Sequence, residues 1–453
     1  MNPLPLSTIA GMSGATLLSG EPATLVRGIS KDTRSVRPGD LYVALRGDRF
    51  DGNAFIEEAA SKGAVAALCD GDPPAGLPAD FGILSTPDSL TGLTLLAAAW
   101  RSRLTLRSIV ITGSSGKTST KDFTAAVMRS RMTTTATLGN LNNQIGLPLS
   151  ILSANTSDEA AVWEIGMNHR GEIAPLAGLA RPDIVIITGI GTAHIENLGS
   201  RENIAAEKGD LLESLPAGGC GVIPAEDSFA RELRSRTSER IVGAGFESGE
   251  IRASDLVQDL SGTRFTITGD FGRAEVMLPV PGRHMVGNAL LAVAAGVLSG
   301  IPLEACAAAL SSIELTSGRL GRIERRGVIL IDDTYNANPD SMVAALETLS
   351  SVPASGRKIA VLGRMGELGA HAAEGYARVG RSAAGVLDIL ICVGEEASAI
   401  AAAARDAGLA DPSVVADNAA AAALLSSLAR EGDLVLLKAS RSARMEEVLV
   451  NFN

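Results

Sequence analysis

Positive charge is scarce in this 453-residue chain: 40 Lys and Arg stand against 51 Asp and Glu, a formal net charge of −11. Coating nucleic acid requires clustered cations that neutralise phosphates, so no nucleic-acid partner is expected and any anionic ligand must find local positive sites. Long apolar runs are missing too. The longest, Ala289 to Leu298, is about half of the roughly 20 residues that span a bilayer. It reads as a buried helix, and no stable membrane insertion is expected. The opening MNPLPLSTIAGMSG has no basic start and no signal-like run, the first cationic side chain being Arg27, so a cytoplasmic location is expected. Cysteine is limited to Cys69, Cys220, Cys306 and Cys392, without CxxC spacing. That scatter fits small buried hydrophobes in a reducing compartment, not a disulfide frame or a metal knuckle. Low-complexity tracts and short internal repeats are also absent.

What is present is the composition of a globular protein, 46% hydrophobic and 20% charged, long enough for about three domains at roughly 150 residues each. Residues 28–68 alternate short apolar strands with Gly, Pro and Asp turns around one helical run. Leu93 to Leu104, with Trp100, reads as a connecting helix. From Arg107 the order is strand, Gly/Ser loop, helix (Lys117 to Arg129). AAVWEIG (160–166) and DIVIITGI (183–190) have the continuous apolar character of strands buried on both faces of a parallel sheet. Residues 261–280 read as an antiparallel hairpin or meander, closed by helices at 287–299 and 303–311. VILID (328–332), KIAVLG (358–363), DILICVG (388–394) and DLVLLKA (433–439) then repeat a strand-and-helix alternation. The expected class is α/β with three domains. A central P-loop-type, mostly parallel sheet domain (96–316) is flanked by an N-terminal α/β substrate domain (1–95) and a C-terminal Rossmann-like domain (317–453).

The loop Gly113-Ser114-Ser115-Gly116-Lys117-Thr118-Ser119 sits between an apolar strand and a helix. Backbone N–H groups at such a helix start converge on one point, where the helix dipole also favours an anion. Glycines let the backbone approach phosphate oxygens, Lys117 can reach the terminal phosphates, and Thr118 can offer a hydroxyl to Mg²⁺. The spacing departs from GxxxxGK[ST], since Ile111 stands where that pattern wants Gly. Guanine recognition of the NKxD type is lacking, which favours ATP. Taken alone, the loop also fits a Gly/Ser turn with a solvated lysine. Glu164 at a strand end, His194 in GTAHIENLG and Lys208 in AAEKGD are further candidates, each equally readable alone as a paired or solvated side chain.

KDTRSVRPGDLYVAL, TGSSGKTSTK, TLGNLNNQIGLPLSIL, EIGMNHRGEI, GTAHIENLGS, AAEKGD, DDTYNANPDSM and GRMGELG follow one another in this order. In that set, which covers nearly the whole length, the chain resembles the Mur ligases. GNLNNQIGLP with DDTYNANP resembles the members that act on UDP-N-acetylmuramoyl-tripeptide and D-alanyl-D-alanine. The resemblance implies that ATP phosphorylates the terminal carboxylate of the tripeptide and that the dipeptide amine attacks the acyl phosphate. Two unit charges about 4 Å apart repel by about 4 kcal/mol at an effective dielectric near 20, so such a site must concentrate positive charge.

Carried over by resemblance, Lys117, Glu164, His194 and Lys208 are catalytic, and Thr118, Glu164, His194 and Lys208 hold one or two Mg²⁺, with Lys208 carbamylated into an oxygen donor. Asn288 is the adenine contact, and Arg319 and Asp333 are phosphate and ribose partners. Thr33 and Arg34 receive the UDP portion where the family commonly has Asp-Ser-Arg. Asn140, Asn142 and Asn143 belong to the loop that grips the sugar or peptide. Asn336, Asn338, Lys438 and Arg441 hold the dipeptide or acyl phosphate. The chain departs from the family at Arg364 (Asp is usual), Ala439 (Gly is usual) and Asn53 (His is common). A monomer is expected. The rivals are a related ligase with another amine substrate, and a non-catalytic nucleotide switch that would use only the phosphate loop.

Overall fold

The computed structural model describes residues 1–47 and 50–452. The chain divides into two compact units. One comprises Met1–Val110, Met132–Gly166 and Ala174–Asp183; the other comprises Ile111–Arg131, Met167–Ile173 and Ile184–Asn453.

The first unit is built on a five-stranded sheet in the order Thr16–Ser19, Gly82–Ser85, Ala66–Cys69, Asp40–Val43 and Gly28–Ser30. All pairs are parallel except the one that Thr16–Ser19 makes with Gly82–Ser85. Asp40–Val43 and Ala66–Cys69 are buried at every position, as strands covered on both faces must be. The connecting helix is Ser89–Arg101, capped by Asp88, whose carboxylate accepts from Thr91 N. Its Trp100 ring is buried, with Nε1 donating to Ala154 O at 3.0 Å. The unit also holds the parallel pair Thr134–Ala136 and Ala160–Glu164, the latter ending at Glu164.

In the second unit Ile184–Ile187, Cys220–Pro224, Arg240–Gly245 and Ile251–Asp259 pair in parallel. Gly262–Gly269 and Gly272–Leu278 continue this run antiparallel, as the meander reading expects. The apolar stretch from Ala289 is the middle of helix Arg283–Leu298, buried at Leu290 through Gly296. A Cβ at Gly296 would overlap Val127 and Cys306, so glycine sets how closely helix Lys117–Arg129 and helix Leu303–Ser311 approach it.

A six-stranded sheet follows, in the order Gly321–Arg325, Val328–Asp332, Leu434–Lys438, Lys358–Leu362, Ile389–Val393 and Ser413–Val415. Its five pairings are parallel apart from the first, a hairpin that the sequence reading did not foresee. Arg326 and Gly327 close it with φ of 55° and 72°, the positive values that a two-residue hairpin turn requires. Three of the four cysteines are buried; Cys220 is only half-buried, because it opens its strand.

Candidate active site

Strand Arg107–Thr112 ends in the phosphate loop, and helix Lys117–Arg129 leaves it with Gly116 as N-cap. Gly113 and Gly116 have φ of 151° and 81°. A Cβ at the first would strike Thr188, and at the second the Asn288 amide, so both glycines are fixed by close neighbours. Thr188 N donates to Thr112 O at 2.9 Å, and its hydroxyl donates to Ser115 O at 2.5 Å. The loop is thereby held open in a tight arch. Lys117 curls over it, with Nζ donating to Gly113 O at 2.7 Å. Thr118 and Ser119 are buried, and Ser114 Oγ is buried without a hydrogen-bond partner.

The arch opens on a cavity of about 320 Å³ lined by Ser115, Gly116, Ser119, Asn288, Arg319, Asp333 and Lys438, among others. Three residues assigned separately, Asn288, Arg319 and Asp333, thus meet on one space. Arg319 is stacked on Tyr335, its guanidinium 4.1 Å from the ring centroid. Apolar Pro224, Ala244, Met285, Leu291 and the Phe246 ring line the same cavity. Lys438 Nζ donates to Asp333 Oδ2 at 2.5 Å and to Asn336 O at 3.0 Å. Burial pushes the Lys438 ammonium down while Asp333 opposes the shift. Arg441 N donates to Asn336 Oδ1 at 3.4 Å, so Asn336, Lys438 and Arg441 are neighbours.

Lys208 lies on helix Arg201–Glu213 and is fully buried, and its Nζ has no hydrogen-bond partner. Burial, with Lys117 adding repulsion, pushes its ammonium well below the usual lysine range despite Glu207. Glu207 makes no hydrogen bond to it; its carboxylate accepts instead from the backbone N–H groups of Gly171, Glu172 and Ile173. His194 adopts a left-handed backbone (φ 64°) and its Nδ1 lies 2.5 Å from Glu367 Oε2. The pair is close but off the axis of an ideal hydrogen bond. It holds the Glu367 carboxyl below its ordinary value.

Asn338, expected to hold substrate, is the N-cap of helix Pro339–Ser351 in a reciprocal capping box with Ser341. Its Nδ2 also donates to Ser115 Oγ at 2.9 Å. Asp340, which lies in DDTYNANPDSM but was given no role there, accepts from Thr192 N at 2.8 Å and Thr192 Oγ1 at 3.0 Å, and pairs with Arg378 at 2.7 Å. Burial alone would raise its carboxyl; these bonds outweigh burial and hold it low.

The remaining candidates belong to the first unit. Glu164 is buried, with Oε1 accepting from Asn142 Nδ2 at 2.8 Å and Oε2 left without a partner. Asn142 O accepts from Gly166 N, and Asn143 Oδ1 accepts from Gly146 N at the start of helix Gly146–Ser153. Asn140 O accepts from Asn142 N. Thr33 donates to Glu58 at 2.9 Å; Arg34 is exposed and pairs with Asp32, holding that carboxyl at about 2. Among the described residues no group of three or more His, Cys, Asp and Glu converges as a metal site. The expected donor set, which includes a threonine and a lysine, is of another kind.

The Mur ligase middle domain matches residues 111–296, the Mur ligase glutamate ligase domain 318–441, and the Mur ligase family catalytic domain 25–86. The chain is 36% identical over 439 residues to the UDP-N-acetylmuramoyl-tripeptide–D-alanyl-D-alanine ligase of Escherichia coli K12, covering 95% of this chain and 94% of that one. The chain belongs to the Mur ligase family. The ligase of the same name from Bacillus subtilis is 36% identical over 450 residues, covering 98% and 97%. Among solved Mur ligase structures, MurF from Acinetobacter baumannii matches with a TM-score of 0.90 at 30% identity, over 100% of this chain and 99% of that one. MurF from Thermotoga maritima in complex with ADP matches with 0.81 at 29% identity, over 94% and 97%. The chain therefore has the α/β fold with mostly parallel sheets and three Mur ligase domains, and it is an ATP-dependent amide-bond-forming ligase.

Proposed function

We propose that this Mur ligase joins D-alanyl-D-alanine to UDP-N-acetylmuramoyl-tripeptide, giving the pentapeptide precursor of peptidoglycan with ADP and phosphate. The observation that carries the reading is the single cavity on which the phosphate loop, Asn288, Arg319 and Asp333 converge. It lies in a chain similar along nearly its whole length to ligases of that name, one of whose solved relatives holds ADP.

ATP enters with its base toward Asn288 and the apolar wall, and its phosphates in the arch of Gly113 to Ser119. Lys117 gathers charge on the transferring phosphoryl group, the point at which positive charge lowers the barrier most. The tripeptide carboxylate oxygen attacks the γ-phosphorus and ADP leaves. The dipeptide amine then attacks the acyl carbon, phosphate departs with its bridging oxygen, and the amine gives up a proton to form the amide. Thr33, Arg34, Asn140, Asn142 and Asn143 receive the UDP-sugar-peptide. Asn336, Asn338, Lys438 and Arg441 serve the dipeptide or the acyl phosphate.

Thr118, Glu164, His194 and Lys208 are the proposed holders of one or two Mg²⁺. In the second unit the orphaned Lys208 Nζ fits a group that supplies its missing partner, and in the first unit Glu164 Oε2 is likewise left without one. An ammonium cannot ligate a cation, whereas a buried, neutral amine can take up CO₂ as a carbamate and present oxygens. When bound, the metal neutralises charge on the phosphoryl oxygens. Domain boundaries near residues 95 and 316, a monomeric state and a cytoplasmic location complete the reading. No helix among the described residues is long and apolar enough to cross a membrane.

The test is a substrate panel with ATP in which tripeptide and dipeptide are varied separately, read by phosphate release and product mass, with Lys117→Ala as control. Amide formation that requires both substrates and fails in the control supports the reading. Turnover with another amine, or none with D-alanyl-D-alanine, overturns it.

A further inference from the structure

Two carboxylates of the segment matched as the glutamate ligase domain reach into the loop that carries His194. Asp340, in the first turn of helix Pro339–Ser351, takes both the N–H and the hydroxyl of Thr192 and is itself gripped by Arg378. It lies so close to Gly191 that a Cβ there would collide with its Oδ2. Two residues beyond Thr192, His194 Nδ1 faces Glu367 Oε2 at 2.5 Å, and Glu196 N donates to the carbonyl of the same Glu367 at 3.3 Å. Glu367 itself is in a left-handed conformation (φ 62°), a local cost of the kind that persists where surroundings over-determine it. Gly369 then lies against Glu196, where a Cβ would come within 2.8 Å of its side chain. Residues 191–196 are thus held by Asp340, Glu367 and Gly369, all of which lie far along the chain from them.

We propose that Asp340 and Glu367 are positioning residues for this reaction: Asp340 fixes the path of the 191–194 loop, and Glu367 fixes the ring and tautomer of His194. A carboxylate beside Nδ1 keeps the proton there and leaves the Nε2 lone pair free, the arrangement by which an outer carboxylate orients a working histidine. The inference deepens the reading given above and rests on it for the role of His194. It adds that His194 is aimed by the domain that follows it in the chain.

The chain has four histidines, His169, His194, His284 and His371, so ring resonances of the full-length protein labelled with ¹⁵N-histidine can be assigned with a His194→Gln variant. They can be read in chelator, without nucleotide. The wild type should show His194 with the proton on Nδ1. Glu367→Ala should move His194 toward a solvent-averaged pair of tautomers, while Glu367→Gln, whose amide oxygen can stand beside Nδ1 as the carboxylate does, retains the wild-type pattern. Asp340→Ala should speed amide exchange at Thr192, and Asp340→Asn should restore most of its protection. In turnover, kcat should fall about 10- to 100-fold in the two alanine variants, with the KM for ATP within about threefold of wild type.

His169, His284 and His371 report whether the fold survives, and the two amide variants keep the test open if an alanine variant does not fold. Unchanged His194 resonances in Glu367→Ala overturn the proposal even if activity falls, since the carboxylate would then be structural only. A loss confined to KM, or kcat within about twofold of wild type in both alanine variants, overturns it as well. The ring readout needs no substrate, so its outcome is separable from the identity of the amine and of the tripeptide.

Discussion

Lys438 and Asp333, which resemblance assigned to different ligands, are partners in one buried ion pair on the wall of the cavity beside the phosphate loop. Their relative exposures of 2% and 8% leave little water to screen a survivor. Removing one member of such a pair is costly, about 3–5 kcal/mol, because the other charge stays buried; replacing both with apolar groups is often near neutral. Asp333→Ala should therefore lower unfolding free energy by about that amount in denaturant titrations, and Lys438→Met combined with Asp333→Leu should regain most of it. A single variant as stable as wild type would show that water or Asn336 already satisfies Lys438.

Gly116→Ala tests the arch. A left-handed backbone costs an L-residue roughly 1–2 kcal/mol, and here the new methyl also meets the Asn288 amide. ADP affinity by calorimetry should drop about tenfold or more, 1.4 kcal/mol being a factor of ten. Gly300, at φ 85° with nothing within 4 Å of a Cβ, is the control: Gly300→Ala bears the strain without the collision and should leave ADP affinity unchanged.

Lys208→Ala should abolish turnover and recover part of it when short carboxylates such as acetate are added, because they can place oxygens where a carbamate would. The expectation comes from a fully buried Nζ without a partner. Absence of rescue, together with no carboxylated lysine in density, would remove the carbamate from the scheme.

His284 lines the cavity yet is enclosed enough that burial lowers its ring pKa to about 4; Asp333 opposes the shift, and Lys438 and Arg319 assist it. The folded value lies below the unfolded 6.5, so the unfolded chain binds more protons between the two. The stability from keeping this ring neutral is complete above about pH 6.5 and is lost as pH falls toward about 4. The acid limb of a thermal-midpoint profile should flatten across this window in His284→Asn. An unchanged limb would assign it to other groups.

Where the chain obeys local rules, it was readable. The strand, loop and helix from Arg107 to Arg129 were expected at the same residues the structure gives, since a buried apolar run, two glycines and an amphipathic run settle the matter within about twenty positions. The meander and the alternating C-terminal strands were legible for the same reason. Gly321–Arg325 was not: it is an edge strand with a mostly polar face, and Arg326-Gly327 is a weaker hairpin signal than Asn-Gly. The cavity set of Asn288, Arg319 and Asp333 came from resemblance, because nothing in spacing says that residues far apart in sequence share one space. Asp340 and Glu367 lie within DDTYNANPDSM and GRMGELG, yet neither route gave them a role. Asp340 carries a visible cue, an acidic residue just after an Asn-Pro cap, but that cue announces a helix start, and only the fold reveals that its partner is Thr192.

The cavity wall has a thermodynamic consequence of its own. Gly116 and Asn288 come from the segment matched as the middle domain, Arg319 and Asp333 from the segment matched as the glutamate ligase domain. A nucleotide seated there acts as a non-covalent rivet through both, and at 100 times its dissociation constant any such ligand contributes about 2.7 kcal/mol to the state that binds it. That contribution belongs to neither segment alone. A nucleotide bound there would thus add to this protein's resistance to unfolding as well as serve its turnover.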